Sequence, residues 1–513
     1  MRNNVMTSKA DFPYCVANAA LDVFVTELRV EDNPCRLRIS MRVGLQFFWS
    51  EITYHSIASW EEVRGPLGDL RFQALIGVIA AWDAMRFMAL GGTRLVIDAE
   101  WPVRYDDATR KTWQYCFNRQ FAEWRFRNKL RYPADDGPQL VGGERFTDTA
   151  RESADAVTAT TPYNRMLLAN GGGKDTLASM IVLREVDASF DLYEGYMPLG
   201  GDAALQERLL SRLSSDNGER DVARVRTSVR DNFFDCPESE FLANGVTCRH
   251  YKGDFMVGHT ANYAGYFPLI VAGGYTRVLF SIEKSADVPQ VYWDGEPINH
   301  QWCKSAEYRD ISRQMFRNLT GFDYFSGFES PIAGLYDFGI YRIIANSPAE
   351  LVRTHSCNYH KPWCRRCTKC LFCYLMMTAF FSEQFAARVV GASCSLFADP
   401  SLAGAWNDLL LPESVAWKCV PGKEECRLAV SLCWHRGLRY PVIENNRLPD
   451  ELLGPSWMRY ATLDADVTPP HFGDAIARLL DRFNAAGLGV PGVDGVRQTA
   501  LSSPERERCD TAD

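Results

Sequence analysis

The 513-residue chain is too long for one ordinary hydrophobic core, so its length predicts two or three domains. Hydrophobic residues make up 46% and charged residues 23%, a globular composition that excludes a largely disordered chain. The formal net charge of -8 argues against a general nucleic-acid-binding protein, because no excess positive field is available to hold phosphates.

Hydropathy and cysteine usage bear on the cellular compartment. The longest mainly apolar stretch, residues 72–90, is interrupted by polar side chains, so no bilayer span is predicted and no membrane partner is expected. The N-terminal residues lack a basic region followed by an apolar run, so no secretory signal is predicted. Of the 16 cysteines, five fall between Cys357 and Cys373, which favours reduced thiols plus a metal site over a disulfide scaffold. Together these features predict a cytoplasmic protein.

Residues 1–140 are predicted to form an N-terminal α+β domain. Residues 37–43 alternate apolar and polar side chains, as a half-buried strand does, and Arg94–Ile97 predicts another strand. Residues 72–90 have helical spacing and precede two glycines, a helix stop signal. Residues 113–132 are rich in Arg, Lys, Phe and Trp. A half-exposed helix explains that composition, and stacking on nucleic-acid bases is the alternative.

A polar linker is predicted at 141–160, followed by a nucleotide-binding α/β domain at 161–350. The elements predicted in this domain are a strand at Met166–Ala169, a helix at 175–185, a strand at 192–197, a helix at 203–213 and a strand at 277–282. Alternating strands and helices predict a parallel sheet with helices on both faces. Residues 351–485 form a cysteine-containing helical region, and 486–513 are expected to be a disordered tail.

The strand at Met166–Ala169 breaks into the sequence Gly171-Gly172-Gly173-Lys174-Asp175-Thr176, here called the glycine loop. Glycines let backbone N–H groups approach a phosphate, and the following helix N-terminus adds partial positive charge. Lys174 supplies a full charge, Asp175 can hold Mg²⁺, and Thr176 can donate its hydroxyl to a phosphate oxygen. The spacing is neither that of the Walker loop nor that of the dinucleotide fingerprint. A simple strand-to-helix turn is the alternative.

The glycine loop resembles the PP-loop of ATP pyrophosphatases, whose pattern is Ser-Gly-Gly-x-Asp-Ser. In this chain Gly171 replaces the first serine and Thr176 the last. The resemblance implies a PP-loop fold and cleavage of ATP into AMP and pyrophosphate, usually by adenylation of a substrate oxygen.

Five further blocks, in the same order along the chain, resemble the UDP-N-acetylmuramoyl-L-alanyl-L-glutamate epimerases of bacterial cell-wall synthesis. These blocks are residues 258–260, 281–286, 299–305, 363–370 and 418–422. The resemblance implies that ATP and Mg²⁺ are used to invert the terminal L-Glu of the nucleotide-sugar dipeptide UDP-MurNAc-L-Ala-L-Glu. The products would be the D-Glu epimer, AMP and pyrophosphate, in peptidoglycan precursor synthesis.

Adenylation has a chemical reason in an epimerase. A carboxylate makes the neighbouring C–H very weakly acidic, because a second negative charge would develop beside the first. An acyl-adenylate removes that charge and lets the carbonyl accept electrons as an enolate, so a base can remove the α-proton. Hydrolysis of the mixed anhydride then makes the overall reaction hard to reverse.

Four residues within the resembling blocks are candidate catalytic groups, namely His259, His300, Cys303 and Lys304. A histidine can serve as the base, and Cys303 can do so as a thiolate if Lys304 lowers its pKa. Packing or capping is the alternative for His259, and an ordinary solvated helix is the alternative for the segment at 300–307. Glu283 is a candidate cofactor-binding residue, because it follows a predicted parallel strand at the edge where such sheets bind ligands.

The spacing Cys357-x6-Cys364-x2-Cys367-x2-Cys370 predicts a structural zinc site. The overlapping Cys-x-x-Cys steps resemble the zinc site of 7-cyano-7-deazaguanine synthases, another PP-loop family. An iron–sulfur cluster and redox-active thiols without metal are the alternatives. His355 and His360 are alternative ligands.

Two other functions fit parts of the sequence. One is a different adenylating PP-loop enzyme, such as an amide- or nitrile-forming ligase similar to 7-cyano-7-deazaguanine synthase. The other is a nucleic-acid-modifying protein that uses residues 113–132 as its contact surface. Salt-dependent RNA binding would favour the second.

Overall fold

The computed structural model describes residues 22–90, 93–99, 101, 105–128, 138–142, 165–196, 202–214, 222–233, 263–357, 360–412 and 420–486. His259, most of the predicted linker and residues 487–513 lie outside these ranges, so the predictions for them stay predictions. Among the described residues, no helix has the length and apolar character needed to cross a membrane.

The strands are numbered in chain order. They are β1 Val23–Glu31, β2 Cys35–Val43, β3 Gln46–Tyr54, β4 Arg94–Ile97, β5 Gln139–Gly142, β6 Met166–Ala169, β7 Phe190–Tyr196, β8 Arg224–Asp231, β9 Arg277–Leu279, β10 Val291–Trp293, β11 Glu296–Ile298 and β12 Gly327–Glu329.

The helices are numbered in the same way. They are α1 Glu61–Ala84, α2 Asp107–Gln120, α3 Ala122–Asn128, α4 Lys174–Glu185, α5 Ala203–Ser214, α6 Phe267–Gly273, α7 Ala306–Thr320, α8 Asp337–Ile344, α9 Pro348–Leu351, α10 Thr368–Phe380, α11 Glu383–Val390, α12 Ala403–Leu410, α13 Lys423–His435, α14 Pro441–Glu444, α15 Asp450–Ala461 and α16 Pro470–Ala486. Short 3₁₀ turns lie at Met85–Leu90, Tyr263–Tyr266, Lys284–Asp287, Trp302–Lys304 and Pro400–Leu402.

Ten strands form one mixed sheet in the order β12-β9-β6-β7-β8-β3-β2-β1-β4-β5. The first five strands in that order are parallel to one another. β3 then pairs antiparallel with β8, β2 and β1 continue antiparallel, and β4 and β5 run parallel to β1. The parallel sheet predicted for residues 161–350 is therefore present, and it is continuous with the strands of the N-terminal region.

Alternate side chains of the parallel strands enter two different hydrophobic cores. Leu167 of β6 belongs to one core, whereas Met166 and Leu168 belong to the other. Val278 and Leu279 of β9 are divided in the same way. Because successive side chains of a strand point to opposite faces, the two cores lie on opposite faces of this part of the sheet. Helices α1, α6 and α7 contribute to the first core and α4, α8, α10 and α13 to the second, so helices cover both faces.

Most predicted elements lie where the pattern placed them. β4 and β6 have the predicted bounds, and α4 begins at Lys174, one residue before the prediction. The described part of the basic aromatic stretch, residues 113–128, is helical but divided between α2 and α3. The predicted strand at 277–282 is paired only over Arg277–Leu279, since the chain leaves the sheet there to enter the candidate site.

Candidate functional site

Three parallel strands deliver candidate residues to one edge of the sheet. The glycine loop follows β6, Glu283 follows β9, and Asp337 opens helix α8 after β12. Ser330, which follows β12, holds the segment that follows β9. Its hydroxyl donates to the carbonyl of Ile282 (2.7 Å) and accepts the N–H of Ile282 (3.1 Å). The carboxyl ends of parallel strands are where such sheets bind ligands.

Hydrogen bonds within the chain hold the glycine loop in shape. The N–H of Gly172 donates to Oδ1 of Asn170 (3.0 Å), and the N–H of Gly171 donates to Oγ1 of Thr176 (3.1 Å). Gly172 has a φ of 69°, a left-handed conformation that favours glycine. Gly173 is the N-cap of α4, and no side chain in the described structure caps this helix. Its first-turn N–H groups therefore lack a capping side chain and can receive an anion.

Lys174 is the centre of a buried charge cluster. Its side chain is 1% exposed, and Nζ forms ion pairs with Asp175 and with Asp337, whose side chain is also 1% exposed. Glu283, 4% exposed, acts electrostatically on the same lysine. The glycine-loop residues and Glu283 are thus brought together, as predicted for a cofactor site. Asp337 joins them.

The pKa values of these groups follow from burial and from their neighbours. Burial acts to lower the pKa of Lys174, but the carboxylates of Asp175, Asp337 and Glu283 hold it well above its usual value. Burial acts to raise the pKa of Asp175, but the nearby lysines, Lys174 first, lower it below its usual value. Burial outweighs Lys174 at Asp337, so the pKa of that carboxyl is raised.

Helices α10 and α13 add two charged side chains that the sequence did not single out. Lys369 of α10 is 8% exposed, and its charge lowers the pKa of Asp175. Glu425 of α13 is fully buried, and its Oε1 accepts the backbone N–H of Phe338 (2.6 Å). Burial first, and then the charge of Asp337, raises the pKa of Glu425 well above its usual value.

The other candidate catalytic residues lie on the connection between β11 and α7. The ring of His300 contacts Glu123 of α3 through Nδ1. Cys303 is 3% exposed in the first hydrophobic core, and Nζ of Lys304 donates to Oε1 of Gln301 (2.7 Å). The helix α7 begins only after its N-cap, Ser305, so residues 300–307 are not one continuous helical face.

Of this group, the structure links Lys304 to the glycine loop, because its charge contributes to lowering the pKa of Asp175. It places His300 against the N-terminal region and Cys303 among buried aromatic rings, including Tyr263 and Tyr308. Their catalytic roles stay predictions.

The four cysteines predicted as metal ligands converge. The sulfur atoms of Cys357, Cys364, Cys367 and Cys370 all lie within 4.8 Å of one another, with separations of 3.9 Å for Cys357–Cys367 and 3.8 Å for Cys364–Cys370. Four thiolates around zinc at about 2.3 Å stand about 3.8 Å apart in a tetrahedron, so the cluster fits that ion without rearrangement.

Two further features define the surroundings of the cysteine cluster. A cavity of about 390 Å³ opens beside Cys364 and Cys367 and gives solvent a path to the sulfurs. His360 donates its backbone N–H to the sulfur of Cys357 (3.3 Å), whereas the ring of His355 lies against Gly172. The four thiols are therefore the candidate ligands. Elsewhere, Cys394 is disulfide-bonded, whereas the cluster cysteines are free thiols.

Comparisons with known proteins connect the chain with one family. The family model for the MurL N-terminal domain matches residues 268–327, and the model for the MurL C-terminal domain matches residues 352–441. In these two ranges the chain is similar to the MurL family. The first match covers Glu283 and residues 300–304, and the second covers the cysteine cluster, Lys369 and Glu425. The glycine loop lies outside both matched ranges.

Three proteins similar to this chain carry one name. The chain is 26% identical over 381 residues to the UDP-N-acetyl-alpha-D-muramoyl-L-alanyl-L-glutamate epimerase of Salinispora tropica, covering 71% of this chain and 76% of the relative. A protein of the same name from a Micromonospora species is 25% identical over 412 residues, covering 76% and 83%. One from Xanthomonas oryzae pv. oryzae is 26% identical over 308 residues, covering 58% and 62%. No solved structure matches the chain.

Proposed function

We propose that the chain is an ATP-dependent epimerase that inverts the terminal L-Glu of UDP-MurNAc-L-Ala-L-Glu through an acyl-adenylate. The observation that carries this proposal is the glycine loop, where an uncapped helix N-terminus meets the buried cluster of Lys174, Asp175 and Asp337. A buried cation beside free backbone N–H groups suits a polyphosphate, and the names of the relatives supply the substrate.

In this proposal the glycine loop binds the phosphates of ATP. The first-turn N–H groups of α4 and the hydroxyl of Thr176 donate to phosphate oxygens, and Lys174 and Lys369 provide charge. The carboxylates of Asp175, Glu283 and Asp337 offer the oxygen ligands that Mg²⁺ prefers. When bound, Mg²⁺ would neutralise phosphate charge. Removing water from these buried groups strengthens every electrostatic contact with the nucleotide.

The proposed chemistry balances in four steps. An oxygen of the glutamate α-carboxylate attacks the α-phosphorus of ATP, and the bond to the β-phosphate breaks to release pyrophosphate. A base takes the proton from Cα, and the electron pair moves onto the carbonyl as an enolate. A proton is delivered to the opposite face of Cα. Water then cleaves the mixed anhydride to the D-glutamate carboxylate and AMP.

Two opposite proton-transfer groups are needed for inversion. His259, His300 and Cys303 are the proposed candidates. Lys304 is proposed to supply positive charge near Asp175, which its effect on the pKa of that carboxyl supports. Incubation in D₂O separates the steps. Solvent deuterium should enter Cα only when ATP is present, and deuterium entering the substrate without ATP would contradict activation before proton removal.

The variant Asp175→Asn tests the ATP assignment. Pyrophosphate release by the native protein should require the L-Ala-L-Glu nucleotide and should be absent with UDP-MurNAc-L-Ala. Asp175→Asn keeps the shape of the side chain but removes its charge, so release should fall by roughly 100-fold or more. The matched control is Asp310→Asn on α7, because the carboxylate of Asp310 is half exposed and pairs with Arg313. Undiminished pyrophosphate release by the folded Asp175→Asn variant would contradict the proposal that the glycine loop binds ATP.

We further propose that the cysteine cluster holds a structural zinc. The sulfur separations support zinc, because they match a closed tetrahedral site. A closed set of four thiolates leaves no position for water, so the metal would stabilise the fold and would not take part in epimerisation.

A further inference from the structure

Residues 354–357, here called the brace, lie on the glycine loop. The backbone N–H of His355 donates to the carbonyl oxygen of Gly172 over 2.8 Å. A Cβ at Gly172 would lie 2.0 Å from Cε1 of His355, so the imidazole fills the space beside that α-carbon. A Cβ at Gly173 would lie 3.3 Å from Oγ of Ser356. The brace therefore covers two of the three glycines in direct contact.

The brace ends in the cysteine cluster. Its last residue, Cys357, is fully buried and is one of the four thiols that converge. His355 is thus two residues from a metal ligand and in contact with Gly172 at the same time. Any displacement of Cys357 must be absorbed within two residues or passed to the glycine loop.

Helix α10 makes a second connection between the cluster and the loop. Cys367 is the N-cap of α10, and its sulfur accepts the N–H of Cys370 (3.5 Å). The next turn carries Phe372, whose ring centroid lies 5.8 Å from Nζ of Lys174 and 5.7 Å from Nζ of Lys369. Two metal ligands and the ring that packs on Lys174 therefore belong to one rigid element.

His355 acts on the loop through its shape. Its ring is 3% exposed, and Nδ1 has no hydrogen-bond partner among the described residues. A buried imidazole with an unused nitrogen is costly unless its packing or a bound group compensates. The close approach to Gly172 provides such packing.

We infer that the cysteine cluster, when it holds its metal, positions the glycine loop through the brace and α10, and that His355 is the positioning residue. Metal binding fixes Cys357 and the first turn of α10, and these hold His355 on Gly172 and Phe372 on Lys174. The metal then determines the affinity of the loop for phosphate. The effect on ATP rests on the proposed function, whereas the mechanical coupling does not.

Amide hydrogen exchange of the full chain, without nucleotide, measures the coupling directly. Cys364→Ser should lose the metal, and exchange in peptides covering residues 171–177 should become several-fold faster, while β1 and β2 stay protected. Cys116→Ser is the control, because Cys116 is a free thiol on α2, outside the cluster, and is more deeply buried than Cys364. It should keep both the metal and the slow exchange of the loop.

His355→Ala separates the brace from the metal. This variant keeps all four thiols and should keep its metal, yet exchange of residues 171–177 should again rise several-fold. The KM for ATP should rise with little change in kcat, because the loop is loosened and the reacting groups are retained. Gly172→Ala should be less harmful in the His355→Ala background than in the native chain, since the space beside Gly172 is then free.

Each outcome bears on one claim. Unchanged loop exchange in metal-free, folded Cys364→Ser overturns the coupling. If that variant is globally destabilised, the metal-loaded His355→Ala variant decides, and native exchange of its loop overturns the inference. Should the metal-loaded native protein fail to bind ATP while the exchange coupling is present, the proposed function fails and the coupling stands.

Discussion

At the residue scale, Lys174 and Asp337 form a buried ion pair that joins β6 to α8 through the glycine loop. Lys174→Met keeps the length of the side chain and leaves Asp337 buried without its partner. At pH 8 we expect a loss of about 3–5 kcal/mol in the free energy of unfolding, measured by urea denaturation.

The double variant Lys174→Met, Asp337→Asn separates stability from function. It removes the charges of Lys174 and Asp337 but leaves Asp175 without Lys174, so part of the lost free energy of unfolding should return, while substrate-dependent pyrophosphate release should not. Equal destabilisation in the single and double variants would contradict the pairing.

Glu425 predicts a pH dependence of stability. Its pKa is raised well above the usual value in the folded chain, so it keeps a proton that the unfolded chain loses above pH about 4.3. The folded state is therefore disfavoured as pH rises, by up to about 1.4 kcal/mol per pH unit until the folded pKa is reached. Glu425→Gln cannot ionise and should escape this loss.

The measurement for Glu425 is the difference in the free energy of unfolding between Glu425→Gln and the native chain at pH 5 and pH 8. The difference should move in favour of the variant as pH rises. The variant can also differ from the native chain by the same free energy at both pH values, for example because the new amide nitrogen of glutamine has no hydrogen-bond partner. Such a constant difference does not affect the change with pH. A difference that is the same at both pH values would show that Glu425 is ionised in the folded chain.

Sequence patterns identified the glycine loop and Glu283, which follows a predicted strand, but they missed three charged residues that folding brings to the same place, namely Asp337, Lys369 and Glu425. The glycine loop carries its own signal, because glycines, Lys174 and Asp175 follow a strand and begin a helix. Asp337 and Glu425 stand in ordinary helix starts, and the fold alone places them beside Lys174. Lys369 lies within the block at residues 363–370, which was interpreted only through its cysteines.

At the scale of elements, the N-terminus of α10 and the preceding loop supply the four thiols. We expect about one zinc per chain by elemental analysis of purified protein, because the sulfur separations fit a tetrahedral ion. Cys364→Ser should reduce the zinc content and lower Tm by several degrees, since the binding free energy of a structural metal contributes to folding. Undegraded protein without zinc or iron would remove the site.

Helices and strands with strong periodicity were predicted well, and short paired segments were not. Met166–Ala169 was recognised as a strand because it is an unbroken apolar run. β12, only three residues long, has too few positions to show a period, and tertiary pairing with β9 defines it. Residues 113–128, the described part of the predicted basic aromatic stretch, form two helices because the chain turns at Phe121, which no local signal marks.

At the scale of the whole molecule, the sheet joins the N-terminal region to the region that we propose binds ATP. β3 pairs with β8 over Ser50–Tyr54, and the first core unites α1 with residues of α6 and α7. A fragment of residues 165–486 should therefore lack a cooperative unfolding transition by circular dichroism, because β8 loses its neighbour and this core loses one side.

The same fragment tests the predicted boundary at 141–160. A cooperative transition with a Tm close to that of the full chain would show that the N-terminal region is an independent domain. The composition of the linker suggested such independence, and the pairing of β3 with β8 could not be read from the sequence, since it joins segments far apart along the chain.

The central claim is that the chain inverts glutamate at the expense of ATP. The most direct measurement is chiral analysis of the glutamate released by acid hydrolysis after incubation with UDP-MurNAc-L-Ala-L-Glu and Mg²⁺, with and without ATP. We expect D-glutamate to form only when ATP is present, with AMP formed in the same incubation. Retention of L-glutamate by folded, metal-loaded protein with ATP, or inversion without ATP, would contradict the claim.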